Sequence, residues 1–528
     1  MLMHQLLIEG AERTPDRLAL HWVDRDRSLT YAGAVAAMEH MAGALASLGV
    51  GRRDRVGIFA HNGLDYLIAL FGTWRVGAIS ALVNVQFAAD LDYYYADHTP
   101  CVVIYTHDMA EAVRRAAQSA GSVRHLICMD GPQAGALSLP ELMAARLPPP
   151  PDPGDETAIA HLAYTSGTTG KPKGACLAHE PTTRAARCIA ERLRFTAADE
   201  SFGPTALSSS YQLVANLLPP LSRGAGVHVM GKWSQTTGWD ALEATRASVF
   251  VANPTLLGQV LAESRARGRT PGCLRAGLSG GGPVPPTLKK AWRDELNLPL
   301  VESFGQSELG GFMALGFPEL VADDALLTRV GPALPDKEVR IVDAGRRPVA
   351  PGVIGEIELR GGYMHSYWGK PDKTADTIGT GWLRTGDLGL IDREGFVTMR
   401  GRRSELIETG GVLWYPRDVE EALCQVPGVT QAAVIGVPDA ALGLRPLAFV
   451  TLAGDAVPGD ADMQEATALK AAIQGRVAYD LAPLVVQIVA ELPMTPTGKI
   501  SKAELAAQWA AAQSVAAQPG ADGRSVGQ

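Results

Sequence analysis

Hydrophobic residues in the first half of the chain follow two spacings, one helical and one typical of short buried strands. Helical spacing covers 64–76 and also 30–48, where a hydroxyl cap at Thr30 and a stop at Gly49 bound the predicted helix. Short apolar runs that predict strands lie at 55–60, 79–83, 101–105, 159–164, 227–230 and 249–252. Strands that alternate with helices predict an α/β fold of doubly wound, mainly parallel sheets.

The pattern changes twice further along the chain. After Gly331, short alternating strands such as 339–342 and 355–360 follow one another without helices, which predicts a small antiparallel, β-barrel-like part. A smaller α+β domain of roughly a hundred residues follows. We therefore expect an N-terminal domain over 1–401, a C-terminal domain over 402–505 and a disordered, Ala- and Gln-rich tail over 506–528.

Length, charge and cysteine content narrow the class of protein. A chain of 528 residues is too long for one core. Its net charge of −8 and its lack of a basic run argue against a nucleic-acid partner, and its apolar stretches are too short to span a membrane. The N-terminus has no basic start or cleavage-like site, so we expect a cytoplasmic protein. Six scattered cysteines without a CxxC pair indicate neither a zinc site nor a disulfide framework.

The segment Tyr164–Gly174 contains three glycines, four aliphatic hydroxyls and two lysines within eleven residues. Glycine permits close backbone approach, hydroxyls and amides donate hydrogen bonds, and lysine supplies charge, so the segment is suited to wrap a polyphosphate. It is not a Walker A loop, because Gly167 lies only three residues before Gly170 and Pro172 follows Lys171. Composition alone leaves a flexible surface loop as the alternative.

Further segments join this loop in a recognisable order. The six segments are Tyr164–Gly174, Ser279–Pro283, Ser303–Glu308, Gly381–Asp387, Gly401–Arg402 and Pro493–Lys499. With them the chain resembles, over nearly its whole length, the adenylate-forming superfamily of acyl-CoA synthetases, luciferases and peptide-synthetase adenylation domains. The resemblance implies that ATP activates a carboxylic acid as an acyl-adenylate and that coenzyme A then takes the acyl group, with Mg²⁺ as the metal.

The resemblance also assigns nucleotide-binding roles. The loop residues expected at the β- and γ-phosphates are Thr165, Ser166, Gly167, Thr168, Thr169, Gly170, Lys171 and Lys173. The residues expected around adenine and the phosphate side are Ser279, Gly280, Gly281, Gly282, Ser303, Phe304, Gly305, Gln306 and Ser307. Asp387 and Arg402 are expected at the ribose, and Glu308 with Thr169 at Mg²⁺. Lys499 and Glu308 are the expected catalytic residues. The Lys499 ammonium group would contact the carboxylate of the acid and the α-phosphate.

The acid and the thiol are expected at other segments. The resemblance places the acid among 208–212, 251–255 and 280–282, with Ser210, Tyr211 and Gly281 as its contacts. These segments contain no lysine or arginine, which disfavours a dicarboxylic acid and leaves fatty, alicyclic and aromatic acids open. Gly410 and Gly411 are expected to approach the acyl site and to let the pantetheine arm pass. The C-terminal domain of the resembling enzymes is mobile and rotates about a hinge, here Ser404, where relatives usually carry aspartate or lysine.

Several alternatives remain at this point. A ligase that loads the arm of a carrier protein, a luciferase-like oxidase and a catalytically weak nucleotide-binding protein share the same motifs. Retention of Lys499, Asp387 and Glu308 argues against the last of these. Homodimers are common among the resembling enzymes, but no sequence feature here indicates one.

Overall fold

Parallel strands joined by helices build the two largest sheets, as the alternating pattern predicts. The computed structural model describes residues 1–165, 171–453, 462–495 and 499–516. Its eight-stranded sheet runs, from one edge to the other, through Gly311–Leu315, Leu300–Gln306, Ala276–Ser279, Val249–Ala252, Glu200–Gly203, Gly226–Val229, Leu18–Trp22 and Arg27–Thr30. The inner pairs are parallel, and the pair at each edge is antiparallel.

The second large sheet has seven strands. In spatial order they are Leu137–Ser138, His125–Cys128, Val102–Tyr105, Arg55–Phe59, Ile79–Leu82, Ile159–Thr165 and Lys173–Ala178. Only the last pair is antiparallel. The strands predicted at 55–60, 79–83, 101–105 and 159–164 are therefore confirmed to within a residue or two, and the mixed α/β fold with doubly wound parallel sheets is confirmed with them.

Helices occupy the connections between these strands. Those of the first four hundred residues are Gln5–Arg13, Tyr31–Ser47, Leu64–Arg75, Leu91–His98, Ala110–Ala120, Leu139–Ala144, His179–Arg192, Leu218–Leu221, Gln235–Thr245, Pro254–Arg267, Pro286–Leu296 and Pro371–Thr377. A π-helical segment covers Gln212–Leu217. In the predicted helix after Thr30, the Thr30 hydroxyl accepts a hydrogen bond from the Gly33 amide at 3.2 Å, and the chain leaves the helix at Gly49 with φ +75°.

A smaller six-stranded sheet follows Gly331. Its strands are Gly331–Pro332, Phe396–Arg402, Trp382–Ile391, Gly355–Arg360 and Glu338–Val342, with Ile378–Gly379 beside Trp382–Ile391. This region was expected to lack helices, and the helix Pro371–Thr377 shows that expectation to be wrong. A helix of seven residues is too short to reveal its period in the sequence, although Pro371 occupies the first helical position, where proline is favoured.

The residues separate into two compact units, one of Met1–Thr385 with Gly389–Met399 and one of Gly386–Leu388 with the chain from Arg400 onward. The second unit has strands Val412–Trp414, Ile407–Thr409, Gly443–Leu452, Val429–Asp439 and Val485–Ile488 and helices Pro416–Cys424, Asp462–Ala472 and Lys502–Ala516. The predicted domain boundary after 401 stays a prediction. No helix in the described ranges has the length and apolar character that crossing a membrane requires.

The last helix differs from the expected disordered tail. Residues 506–516 belong to the helix Lys502–Ala516, whereas 517–528 lie outside the described residues. Alanine, glutamine and leucine are good helix formers, and Leu505 is buried, with Trp509 packed against the same small cluster one turn later. Tertiary packing on one face therefore keeps this stretch helical.

Candidate active site

The predicted phosphate loop joins the two strands of an antiparallel hairpin. Strand Ile159–Thr165 pairs with strand Lys173–Ala178, and Thr165 lies opposite Lys173. Residues 166–170, which include Ser166, Gly167, Thr168, Thr169 and Gly170, lie outside the described residues. The Thr165 hydroxyl is buried and has no hydrogen-bond partner in the described part of the chain. A buried hydroxyl at the entrance of the loop is available to a ligand oxygen.

The two lysines of the loop each lie over a tyrosine ring. Lys171 Nζ is 5.0 Å from the centroid of the Tyr93 ring, and Lys173 Nζ is 4.3 Å from that of Tyr367. The Tyr93 hydroxyl also donates to the Pro172 carbonyl at 2.5 Å. Cation–π contacts of this kind hold an ammonium group without neutralising its charge. The end of the hairpin therefore presents two positive charges that remain available to an anion.

Glu308 lies in the short turn Ser307–Leu309 that follows strand Leu300–Gln306. Its Oε1 accepts a hydrogen bond from the Tyr367 hydroxyl at 2.8 Å, and its carbonyl accepts one from the Met364 amide at 2.8 Å. Within the described residues, no group of three His, Cys, Asp or Glu side chains is placed to hold a metal. One carboxylate next to hydroxyl groups fits Mg²⁺, which proteins usually bind through one or two carboxylates plus substrate phosphates.

The predicted adenine segment is closely packed at Gly280. This residue follows strand Ala276–Ser279, and a Cβ there would lie 2.3 Å from Ser303 Oγ and 2.7 Å from Tyr211 Cε2. Ser303 Oγ in turn donates to the Ser279 carbonyl at 2.9 Å. Only glycine fits this place. The next residue, Gly281, has φ +77°, where glycine is also favoured, and Gly282 lies in the same bend.

The other residues of the phosphate-side segment lie on and after the neighbouring strand. The Phe304 ring is half-buried and packs against the core cluster that contains Leu309 and Met313. Gly305 lies so close to the Gly311 carbonyl that a Cβ would approach it to 2.6 Å. Gln306 Nε2 donates to the Thr385 carbonyl at 3.0 Å. The structure thus brings the predicted adenine and magnesium segments together on adjacent parallel strands.

The three predicted acid segments converge on Tyr211. Its hydroxyl donates toward the carbonyl oxygens of Ala252 and Leu278, at 3.3 and 3.2 Å, and its ring faces Gly280. Burial raises the pKa of the Tyr211 phenol well above its usual value, so the hydroxyl stays protonated. Ser210, the preceding residue, has its Oγ 2.8 Å from Ser307 Oγ. The acid segment therefore touches the segment that carries Glu308.

The second unit contains the predicted ribose residues. Asp387 is buried on strand Trp382–Ile391, and its Oδ1 lies 3.4 Å from Nε of Arg402, the last residue of strand Phe396–Arg402. Ser404 is exposed in the short turn Arg403–Glu405 that follows. A carboxylate in this position can accept hydrogen bonds from two neighbouring hydroxyls.

The predicted thiol-side and catalytic residues lie on exposed turns of the same unit. Gly410 and Gly411 have φ +56° and +81° and join strands Ile407–Thr409 and Val412–Trp414 in a two-residue hairpin, a turn that requires positive φ at both positions. Lys499 is exposed, and its amide donates to Thr495 Oγ1 at 3.1 Å. Residues 496–498 lie outside the described residues.

Comparison with known proteins gives a consistent answer. The family described as AMP-binding enzyme matches residues 7–368, and its C-terminal domain matches residues 418–499. The chain belongs to the AMP-binding enzyme family.

Individual relatives of this AMP-binding enzyme include several CoA ligases. Feruloyl-CoA synthase from Amycolatopsis sp is 32% identical, with 90% of this chain and 93% of that protein covered. Indoleacetate–CoA ligase from Aromatoleum aromaticum is 30% identical, with 92% and 94% covered. Among solved structures, ATP-bound MatB from Rhodopseudomonas palustris has a TM-score of 0.85 at 27% identity, covering 96% of this chain and 99% of that one.

Sequence reasoning missed three side chains that contact Tyr164, Lys171 and Lys173 of this AMP-binding enzyme. Asp97 accepts a hydrogen bond from the Tyr164 hydroxyl at 2.8 Å and forms an ion pair with Lys370. Tyr93 and Tyr367, which lie under the loop lysines, were missed as well. No hydrophobic period or motif marks them, because they are brought to the loop from a helix and from an irregular segment far along the chain.

Proposed function

We propose that this AMP-binding enzyme joins a hydrophobic, aryl-sized carboxylic acid to AMP and then transfers the acyl group to coenzyme A. Its reaction class is the AMP-forming ligation of an acid to a thiol. The contact of 2.8 Å between the hydroxyls of Ser210 and Ser307 carries the proposal, since it brings the acid segment against the segment of Glu308. Because ATP and coenzyme A are intracellular substrates, the proposal places the enzyme in the cytoplasm.

An aryl acid is favoured by the residues of the acid segments. Residues 208–212, 251–255 and 280–282 contain no lysine or arginine that would bind a second carboxylate. The ring of Tyr211 supplies an aromatic wall, and it lies directly against the backbone of Gly280. Two of the relatives are named for acids that carry an aromatic ring, ferulate and indoleacetate.

Charge stabilisation is the main requirement of the first step. A carboxylic acid with a pKa of roughly 4 to 5 is ionised at neutral pH, so no general base is needed. Lys171 and Lys173 bind the β- and γ-phosphates, and Lys499 offsets the charge that develops at the α-phosphate. Glu308 and the loop residue Thr169 would hold Mg²⁺, which would supply further neutralisation of the phosphate charge. Asp387 and Arg402 bind the ribose.

The second step needs a different surface at the same adenylate. In the proposal, the C-terminal domain rotates about Ser404 after the acyl-adenylate has formed. The exposed hairpin turn of Gly410 and Gly411 then admits the pantetheine arm. Two glycines suit this place because neither carries a side chain that would narrow the passage.

Pyrophosphate release tests the proposal. The purified enzyme is given ATP, Mg²⁺ and one acid at a time from ferulate, indole-3-acetate, benzoate, octanoate and malonate, with and without coenzyme A. Product masses are then determined. We expect release with the aryl acids, little with malonate, and a thioester only when coenzyme A is present. Tyr211→Ala should change the order of preference among the acids and leave the KM for ATP within about twofold.

The other outcomes separate the alternatives. Acid-dependent release without a thioester would indicate a carrier-protein acceptor in place of coenzyme A. If pyrophosphate release is greatest with octanoate, the preferred substrate is a fatty acid and not an aryl acid. No release with any acid would contradict the proposed activity.

A further inference from the structure

Tyr367 lies between two parts of the candidate active site that come from distant places in the sequence. It is 4% exposed and lies in the irregular segment 364–368. This segment pairs with strand Lys173–Ala178 through a bridge between Ala175 and Tyr367. The Cys176 amide donates to the Ser366 carbonyl at 2.8 Å, and the Trp368 amide donates to the Gly174 carbonyl at 2.8 Å. The backbone of Tyr367 is therefore held against the strand that carries the phosphate loop.

The side chain of Tyr367 contacts a carboxylate and an ammonium group at once. Its hydroxyl donates to Glu308 Oε1 at 2.8 Å, and its ring lies 4.3 Å from Lys173 Nζ. The segment also holds the backbone of Glu308, since the Met364 amide donates to the Glu308 carbonyl. One residue thus orients the negative group expected at the metal and the positive group expected at the phosphates.

We propose that Tyr367 is a positioning residue for the magnesium–ATP complex, an inference that rests on the proposed function. The hydrogen bond occupies one oxygen of Glu308 and so aims the other toward a ligand. The ring meanwhile holds Lys173 by a cation–π contact, which keeps its charge available to phosphate. Without this separator, Glu308 and Lys173 would be free to pair with each other and neutralise both binding groups.

Tyr93 provides a matched control within the same site. It lies under Lys171 as Tyr367 lies under Lys173, but its hydroxyl donates to the Pro172 carbonyl and not to a carboxylate. Replacing either tyrosine by phenylalanine removes one hydroxyl and keeps one ring. Of the two, only the Tyr367 hydroxyl donates a hydrogen bond to a predicted metal ligand, Glu308.

Metal binding tests the proposal without relying on turnover. Full-length wild type, Tyr367→Phe, Tyr367→Leu, Tyr93→Phe and Glu308→Gln are titrated with Mn²⁺ in the presence of a non-hydrolysable ATP analogue, with bound metal followed by electron paramagnetic resonance. Calorimetry gives the affinity for the same analogue in EDTA. We expect Tyr367→Phe to weaken Mn²⁺ binding about tenfold and to leave metal-free nucleotide affinity within about twofold. Tyr367→Leu should weaken both, and Tyr93→Phe should leave Mn²⁺ affinity unchanged.

Each contrary result points to a different failure. If Glu308→Gln loses Mn²⁺ affinity and Tyr367→Phe keeps it, Tyr367 does not position the metal site. If Tyr93→Phe weakens Mn²⁺ as much as Tyr367→Phe does, the effect is a general disturbance of the loop, and the proposal is overturned. If Glu308→Gln binds Mn²⁺ like wild type, the metal role of Glu308 fails. If wild type binds no nucleotide, the proposed function itself fails. Thermal unfolding of each variant identifies misfolding, and the conservative phenylalanine variants carry the conclusion.

Discussion

The hydroxyl oxygens of Ser210 and Ser307 lie 2.8 Å apart and join the predicted acid segment to the predicted magnesium segment. We expect Ser210→Ala and Ser307→Ala each to raise the KM for the acid and for ATP several-fold, because each leaves the other hydroxyl without this partner. The double variant should lose less kcat/KM than the two single losses added together. The difference, expressed as a coupling free energy, should be about 1 kcal/mol. Ser307→Thr keeps the hydroxyl and is the control. Strictly additive effects would show that the contact does not couple the two substrates.

Gly280→Ala should damage the acid and nucleotide site. The added Cβ would lie 2.3 Å from Ser303 Oγ and 2.7 Å from Tyr211 Cε2, so the ring or the strand must shift. Overpacking of this kind costs about 1–3 kcal/mol, and we expect kcat/KM for the acid to fall about tenfold or more. Gly258→Ala is the matched control, since a Cβ there meets nothing within 4 Å in helix Pro254–Arg267. The control should be as stable as wild type or slightly more stable. An unaffected Gly280→Ala enzyme would contradict the close packing of Gly280 against Ser303 and Tyr211.

Lys499→Ala should abolish the first half-reaction and spare the second. Removal of a cation that stabilises the charge at the α-phosphate is expected to slow acid-dependent pyrophosphate release about a hundredfold or more. The variant should still convert a supplied acyl-adenylate to the thioester with coenzyme A, measured by mass spectrometry. Lys373→Ala, which removes an exposed lysine of helix Pro371–Thr377, should behave as wild type in both assays. Loss of both half-reactions in Lys499→Ala would overturn the assigned role.

Stability should fall in mild acid because three histidines are buried in the neutral form. Burial lowers the pKa of His98 to about 3, of His161 to about 4 and of His179 to about 3, from an ordinary value of 6.5. Below pH 6.5 the unfolded chain therefore binds protons that the folded chain does not, so stability is retained above this pH and lost as the pH falls toward the folded-state pKa. At pH 5.5 each histidine should lower the free energy of unfolding by about 1.4 kcal/mol.

Urea unfolding at pH 7.5 and at pH 5.5 measures this effect. His161→Asn removes one titrating group and keeps a polar partner for Ser80, whose Oγ lies 2.9 Å from His161 Nδ1. The variant should lose about 1.4 kcal/mol less than wild type between the two pH values, whatever its stability at pH 7.5. An equal loss in both proteins would show that His161 does not titrate between the folded and unfolded states.

Local patterns were sufficient for much of the framework. The capped helix after Thr30 and the strands at 55–60 and 249–252 follow from side-chain periodicity and turn residues within each segment, which are set by neighbours along the chain. The short helix Pro371–Thr377 and the helix Lys502–Ala516 were not predicted. The first is too short to show a period, and the second is favoured by packing of Leu505 and Trp509, which composition does not reveal.

The sequence by itself determined the family, the order of its motifs and the residue types available for phosphate, acid and metal, because these depend on chemistry carried by contiguous residues. Only the tertiary structure decided which of them meet. The contact of Tyr367 with Glu308 and Lys173, and that of Ser210 with Ser307, join segments separated by many residues. Such contacts depend on how strands and loops pack against one another, and no local pattern records that packing.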